Sequence, residues 1–438
     1  MAEQVIWRCP CGQVKGQKTG EAYLFRGLPY AVTERFQSPV LIRRWDGIHD
    51  GTAEEIDCWQ YSSYEDETGT FYNKEFRPDR SFRYAESPMT LNIVSPSPEG
   101  KRPVLLFLHG GAFELGTVGE QPYGTCTEYA RRDVVYVSAG FRLNVFGLHG
   151  GENYLLQDQL AALDWVRENI ASFGGDPNNV TLMGQSAGAM SVMDLLCSGK
   201  LAGKITRAVM ISGAGIIPRF VSPLPKTKAE VFWKKVDDVL GCDPVSAASE
   251  SLWRAWYDVK SREGLVDSLR HIQPCLDGTV LTEPQGRAVR SGRILDVPLM
   301  IGITSQDYMP YFIYGMACRL GRLCHRLGHA PVYGYLFDRE LPGNSYKAFH
   351  GSDLWYLFGN MDACWRPFEP IDYALSAAMI DRVAAFCATG SPQDPRWLPL
   401  TARQKGLRHF DGVSDGMASA AYCRRKMFRT AFKEPGPI

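Results

Sequence analysis

The sequence has no net charge: 48 lysines and arginines balance 48 aspartates and glutamates. Without a basic excess there is no electrostatic reason to expect nucleic acid or an anionic membrane as partner. No run approaches the ~18 consecutive apolar residues of a membrane-spanning helix. The opening stretch, Met1-Ala2-Glu3-Gln4-Val5-Ile6-Trp7-Arg8, lacks both the basic and the apolar segments of a secretory signal. A soluble, cytoplasmic protein is therefore expected, although a chain whose leader had been removed would read the same way. There is no internal repeat and no low-complexity tract. The 12 cysteines are scattered along 438 residues and do not form a disulfide framework. Cys9-Pro10-Cys11 is too tight for a zinc knuckle, and Cys318, Cys324, His325 and His329 match no standard zinc spacing. Neither a metal nor a cofactor is expected.

What is present is enough apolar material, 45% of the residues, for a large core. Length alone allows two or three domains; a single large α/β domain over residues 1–438 is the expected organisation. Gly12–Gly16, Tyr23–Gly27 and Leu91–Val94 read as short strands, the first two bounded by glycine. Val104–Leu108, Val134–Val137, Val180–Met183, Arg207–Ser212, Val297–Ile303 and Val332–Phe337 are nearly continuous apolar runs, as in parallel strands covered on both faces. Between them, Leu160, Leu163, Val166 and Ile170 fall at helical spacing and predict a helix over Asp158–Ala171. Tyr123–Arg132, residues 225–270 and Ile371–Thr389 are the other expected helices. Strands alternating with helices give an α/β class with a mostly parallel sheet. Residues 58–85 are polar and aromatic with weak periodicity, which predicts a long loop of the functional kind.

The chemistry centres on Val180-Thr181-Leu182-Met183-Gly184-Gln185-Ser186-Ala187-Gly188. Strand, turn and helix meet there with G-x-S-x-G spacing, the pattern that lifts a serine hydroxyl above a sheet edge. A second match, Gly412–Gly416 around Ser414, has no histidine after it and reads as a surface turn. A nucleophilic serine needs an oxyanion hole and an acid–base pair. His109-Gly110-Gly111-Ala112-Phe113, directly after a strand, offers backbone donors at Gly110 and Gly111, with Ala187 at the helix start as a third. His149-Gly150-Gly151 is the weaker alternative. The base is sought among His271, His325, His329, His350 and His409; His350 lies in a loop after a strand, where active-edge loops belong. Asp307 follows the Val297–Ile303 strand and fits the acid; Asp353, three residues after His350, competes for that role or braces the loop.

These motifs resemble the type-B carboxylesterases, the cholinesterase-like branch of the α/β-hydrolases. The likeness runs nearly end to end, through Phe25-Arg26-Gly27-Leu28-Pro29-Tyr30, Phe141-Arg142-Leu143, Asp158-Gln159 and, most specifically, Asn169-Ile170-Ala171-Ser172-Phe173-Gly174-Gly175-Asp176-Pro177-Asn178-Asn179. It implies an α/β-hydrolase fold, a small-molecule ester substrate, Ser186 as nucleophile, His350 as general base and Asp307 as its orienting acid. It also implies Gly110, Gly111 and Ala187 as oxyanion donors. Four departures stand out. Aspartate replaces the family's usual glutamate at the acid. Gln185 stands where glutamate is common. Cys58 has Pro88 at its disulfide partner's position. The interval from Asp307 to His350 is short, so residues 308–331 are expected to form a reduced cap beside the 58–88 loop. Phe113, Tyr308, Phe312 and Trp355 are candidates for the substrate pocket or for core. No counterpart of a choline-binding tryptophan is found in residues 58–88. The competing readings are a catalytically silent relative, which would typically lose the serine or histidine, and a lyase or acyltransferase using the same pocket.

Overall fold

The computed structural model describes residues 3–53, 55–60, 71–77, 83–213, 215–216, 222–414 and 416–433. Its organising element is one twisted sheet. In chain order the strands on its main path are β1 (Glu3–Cys9), β2 (Gly12–Thr19), β3 (Ala22–Pro29), β4 (Thr90–Ser95), β5 (Arg102–Leu108), β6 (Val135–Ala139), β7 (Gly175–Gln185), β8 (Arg207–Ile211), β9 (Leu299–Thr304), β10 (Val332–Phe337), β11 (Leu407–Phe410) and β12 (Gly416–Ala418). Across the sheet they lie in the order β1-β2-β3-β4-β6-β5-β7-β8-β9-β10-β11-β12. From β6 to β11 every pairing is parallel, while the strands at either end pair antiparallel.

The apolar runs explain the centre. Val104, Leu106 and Leu108 of β5 point into one core, Leu105 and Phe107 into the other, because successive strand residues face opposite sides. Both faces must then be covered by helices. On the first face lie Tyr154–Asn169, Ala187–Cys197, Lys226–Leu240, Ser249–Ser261 and Pro310–Leu327; on the second lie Leu354–Phe358 and Pro370–Thr389. Among the described residues no helix is long and apolar enough to cross a membrane.

Some boundaries differ from expectation. The Asp158–Ala171 helix begins at Tyr154, ends at Asn169 and tightens into a 3-10 turn over Ile170–Phe173 before Gly174, whose φ of 78° turns the chain into β7. Of Tyr123–Arg132, only Ala130–Arg132 is helical, as a 3-10 turn. Residues 308–331, expected as a cover over the site, instead form the crossover helix Pro310–Leu327, packed against β9 and β10. The expected long loop contains a short helix, Phe71–Phe76. Residues 61–70 and 78–82 of that loop lie outside the described set.

Candidate active site

Parallel strands bring their carboxyl ends to one sheet edge, and the loops that leave those ends gather there. Leu108 of β5 pairs with Gly184 of β7, Gln185 with Ile211 of β8, and Thr304 of β9 with Phe337 of β10. The segments 109–113, 186, 212–213 and 305–308 therefore begin side by side. A bridge between Gln306 and Phe349, with the Gln306 amide donating to Ala348 at 2.9 Å, draws the His350 loop to the same place.

Ser186 sits at the top of the β7 turn with φ 52° and ψ −119°, a conformation that costs ~1–3 kcal/mol and persists only where its surroundings enforce it. The enforcement is steric. A Cβ on Gly184 would stand 2.3 Å from the Gly188 carbonyl oxygen, and one on Gly188 would stand 2.2 Å from that of Leu108. The Ser186 amide donates to Ile211 at 2.7 Å, and the helix Ala187–Cys197 follows at once. Ser186 itself is half-buried, whereas Ala187 beneath it is buried. Ser414, the second motif match, is exposed and bonds only locally, to Asp411.

His350 Nδ1 and Asp307 Oδ1 are 2.6 Å apart, and both residues are buried. Burial alone would raise the Asp307 carboxyl. The opposing influence of His350 and the hydroxyls of Ser212 and Thr304 holds it below the usual carboxylate range instead. Asp353 does not face the imidazole in this way. It is wholly buried, accepts from the Tyr335 hydroxyl at 2.8 Å and is pushed up to about 7, chiefly by burial. The remaining candidate bases are engaged elsewhere or far off: His271 with Glu263 and the Phe232 ring, His409 with Asp338, and His325 at the far end of the helix Pro310–Leu327. His149, of the alternative glycine pair, stacks on Phe36 and pairs with Asp237.

The Gly110–Gly111 turn lies against the elbow. A Cβ on Gly110 would stand 3.1 Å from Ser186 Cβ, and one on Gly111, at φ 105°, would stand 2.0 Å from the Leu115 carbonyl oxygen. Only glycine fits at 111, and a side chain at 110 would have to displace the Gln185 amide. Behind the turn, His109 stacks on Phe141 with centroids 4.4 Å apart, and burial lowers it to about 4, so it is neutral above mildly acidic pH. Asn144 braces the far side, donating its amide to Phe113 and its side chain to Trp59 and Glu114.

The four pocket candidates divide. The Tyr308 ring lies 4.5 Å from that of His350 and is 54% exposed; Phe312, one helical turn on, is 42% exposed. Phe113 and Trp355 are core. Trp355 is fully buried and donates its indole N–H to Glu75 at 3.0 Å. That same Glu75 takes Arg366 on both oxygens, at 2.8 and 3.0 Å, and the Trp365 indole, pinning the helix Phe71–Phe76 beside the His350 loop. Nothing in the sequence pattern marked Glu75 or Arg366. Cys58 is a free, buried thiol whose sulfur accepts from the Leu143 amide. One contact was equally invisible in the sequence: the Gln185 side-chain nitrogen lies 3.2 Å from His350 Nε2.

A model of the carboxylesterase family matches residues 3–320 and 314–415. Para-nitrobenzyl esterase of Bacillus subtilis is 29% identical over 87% of this chain and 89% of its own length. The crystal protein of Dictyostelium discoideum is 32% identical over 69% of this chain, which spans 56% of that longer protein. A solved PNB esterase superposes with a TM-score of 0.81 at 27% identity, covering 97% of this chain and 99% of the other. With the family pattern matched along almost its whole length and the sheet of those esterases reproduced, this chain belongs to the carboxylesterase family and has the α/β-hydrolase fold.

Proposed function

We propose that this carboxylesterase cleaves small-molecule carboxylic esters through an acyl-enzyme on Ser186. His350 takes the hydroxyl proton at Nε2 as Ser186 Oγ attacks the ester carbonyl carbon, and the carbonyl electron pair moves onto oxygen. The backbone N–H groups of Gly110, Gly111 and Ala187 receive that oxyanion, each such donor contributing ~3–4 kcal/mol to the barrier. Collapse of the intermediate breaks the bond to the alcohol, which leaves with the proton from Nε2. Water then repeats the sequence on the acyl group. Asp307 holds the imidazole in the tautomer with Nδ1–H and stabilises the imidazolium.

The observation that carries this reading is the 2.6 Å Asp307–His350 pair standing at the sheet edge beside the strained Ser186 elbow. Ser186→Ala is expected to abolish p-nitrophenyl ester hydrolysis with the melting temperature retained. A fluorophosphonate is expected to label Ser186 to one equivalent. Near wild-type turnover by Ser186→Ala would refute the mechanism. Labelling without ester turnover would favour the acyltransferase reading, and absence of both labelling and turnover the silent-relative reading.

A further inference from the structure

The contact between Gln185 and His350 has a chemical direction. His350 Nδ1 faces an acceptor-only carboxylate at 2.6 Å, so Nδ1 carries the proton and Nε2 presents a bare lone pair. A group 3.2 Å from that lone pair must donate, so the Gln185 amide turns its NH₂ toward Nε2. An sp² nitrogen has one lone pair. It is the same lone pair that has to accept the Ser186 proton. Gln185 is itself buried, and its side chain fills the space between three loops. Its Oε1 occupies the place of a Gly110 side chain, 2.2 Å from where that Cβ would be, and its Nε2 lies 3.6 Å from the corresponding point on Gly351. No motif assigns this residue a part in the chemistry.

We infer that Gln185 is a positioning residue that occupies the proton-accepting lone pair of His350 in the resting enzyme and yields it to Ser186 when an ester is bound. The inference rests on the triad reading above. Its consequence follows from which protonation state the amide favours: a hydrogen bond donated to the bare nitrogen stabilises neutral imidazole against imidazolium. Among the described residues, the other titratable or charged groups around the ring are Asp307 at Nδ1, the Tyr308 ring at 4.5 Å with the Tyr72 ring 6.3 Å beyond it, Asp353, bonded to Tyr335 further along the same loop, and the Glu75–Arg366 pair, whose guanidinium lies over the Phe349 ring. None of them changes when residue 185 is substituted.

The test is the pH profile of kcat/KM for a p-nitrophenyl ester in wild type, Gln185→Met and Gln185→Glu, since its acid limb reports the free enzyme's base. Methionine keeps the volume and removes the donor; the acid limb is expected to move up by about half a pH unit to one unit. Glutamate is isosteric and places a carboxylate at the lone pair, so an upward move of about one unit or more is expected, reduced by added salt. A side chain that only fills space would lower the rate and leave the limb where it was. An unmoved limb or a downward move in Gln185→Met would overturn the inference whatever Gln185→Glu does, because a carboxylate there raises the limb by its charge alone. Fluorophosphonate labelling run in parallel separates the two levels. Labelling at Ser186 with an unmoved limb refutes only the role of Gln185. Failure to label wild type at Ser186 refutes the triad reading and this inference with it.

Discussion

At the scale of single residues, two buried aspartates lie close to one histidine and behave oppositely. Asp307 is held below the usual carboxylate range by His350 and two hydroxyls against the effect of burial, so it is the charged partner an imidazolium needs. Asp307→Asn is expected to lower kcat by about 10²–10⁴, because the amide supports the wrong tautomer. Asp353 is pushed up from 3.8 to about 7, mainly by burial, and is protonated in the fold at pH values where the unfolded chain has released the proton. Its contribution to stability is therefore fully present below 3.8 and declines as pH rises to about 7. Asp194, buried against Gln285 and likewise raised to about 7, adds to the same trend. Asp353→Asn keeps a carbonyl oxygen for the Tyr335 hydroxyl and removes one titrating acid. Melting temperatures measured from pH 4 to 8 should then fall less steeply with rising pH than in wild type, with kcat changed by less than about tenfold. The opposite ranking of the two asparagine variants in turnover would exchange their roles.

At the scale of elements, the Gly110–Gly111 turn is braced through a buried ion pair. Arg142 grips Asp158 on both oxygens, at 2.7 and 2.8 Å, with its own amide also on the carboxylate at 3.1 Å. Its guanidinium packs 4.8 Å from the Tyr154 ring centroid, and both charged side chains are almost fully buried. This fixes the 141–144 segment to the helix Tyr154–Asn169, and Asn144 in turn holds the Phe113 carbonyl. Removing one partner leaves an uncompensated buried charge, so Asp158→Asn is expected to cost ~3–5 kcal/mol in urea unfolding. A loss below about 1 kcal/mol would mean the pair is dispensable. Both residues were visible in the sequence as part of a familiar pattern, and so were the central strands, because continuous apolar runs have few other uses. The Ser186 elbow was legible for the same local reason: its glycines are needed by contacts only a few residues away. What escaped reading was non-local or weakly patterned. Strand β1 exposes Ile6 at 60% and half-buries Trp7, which blurs its alternation. The helix Ala420–Lys433 is strongly charged. The Glu75–Arg366 and Gln185–His350 contacts join residues 291 and 165 positions apart, beyond any sequence window.

At the scale of the whole molecule, the placement of the helix Pro310–Leu327 bears on what the site admits. The chain between Asp307 and His350 has to supply a crossover from β9 to β10, and this helix is that crossover. It spans ~27 Å along one sheet face. Its apolar side, with Ile313, Ala317, Leu320 and Leu323, is spent on the core. It is not free to roof the sheet edge as well. The chain entering it reaches the site through Tyr308 beside His350; Met309, Tyr311 and Phe312 follow, all substantially exposed. The Phe71–Phe76 helix meets this entry, with the Tyr72 ring 6.3 Å from that of Tyr308; it is anchored by Glu75 on Arg366 and touches the His350 loop through Phe71 and Phe349, 4.9 Å apart. Among the described residues, then, the helix Pro310–Leu327 lies along the sheet face and does not roof the sheet edge. A site that this helix does not roof is expected to grade substrates weakly, since even an enclosing pocket gains only ~1–3 kcal/mol of discrimination per methylene. A series of p-nitrophenyl esters of increasing acyl length is expected to show a shallow dependence of kcat/KM. Esters of bulky alcohols should be hydrolysed within about an order of magnitude of small ones. Tyr308→Ala, which removes the exposed ring beside the base, should raise KM for aromatic esters more than for acetates while leaving kcat nearly unchanged, because that ring contributes binding in the ground state and the transition state alike. A sharp optimum at one acyl length with bulky alcohols rejected would show that the site is closed on all sides.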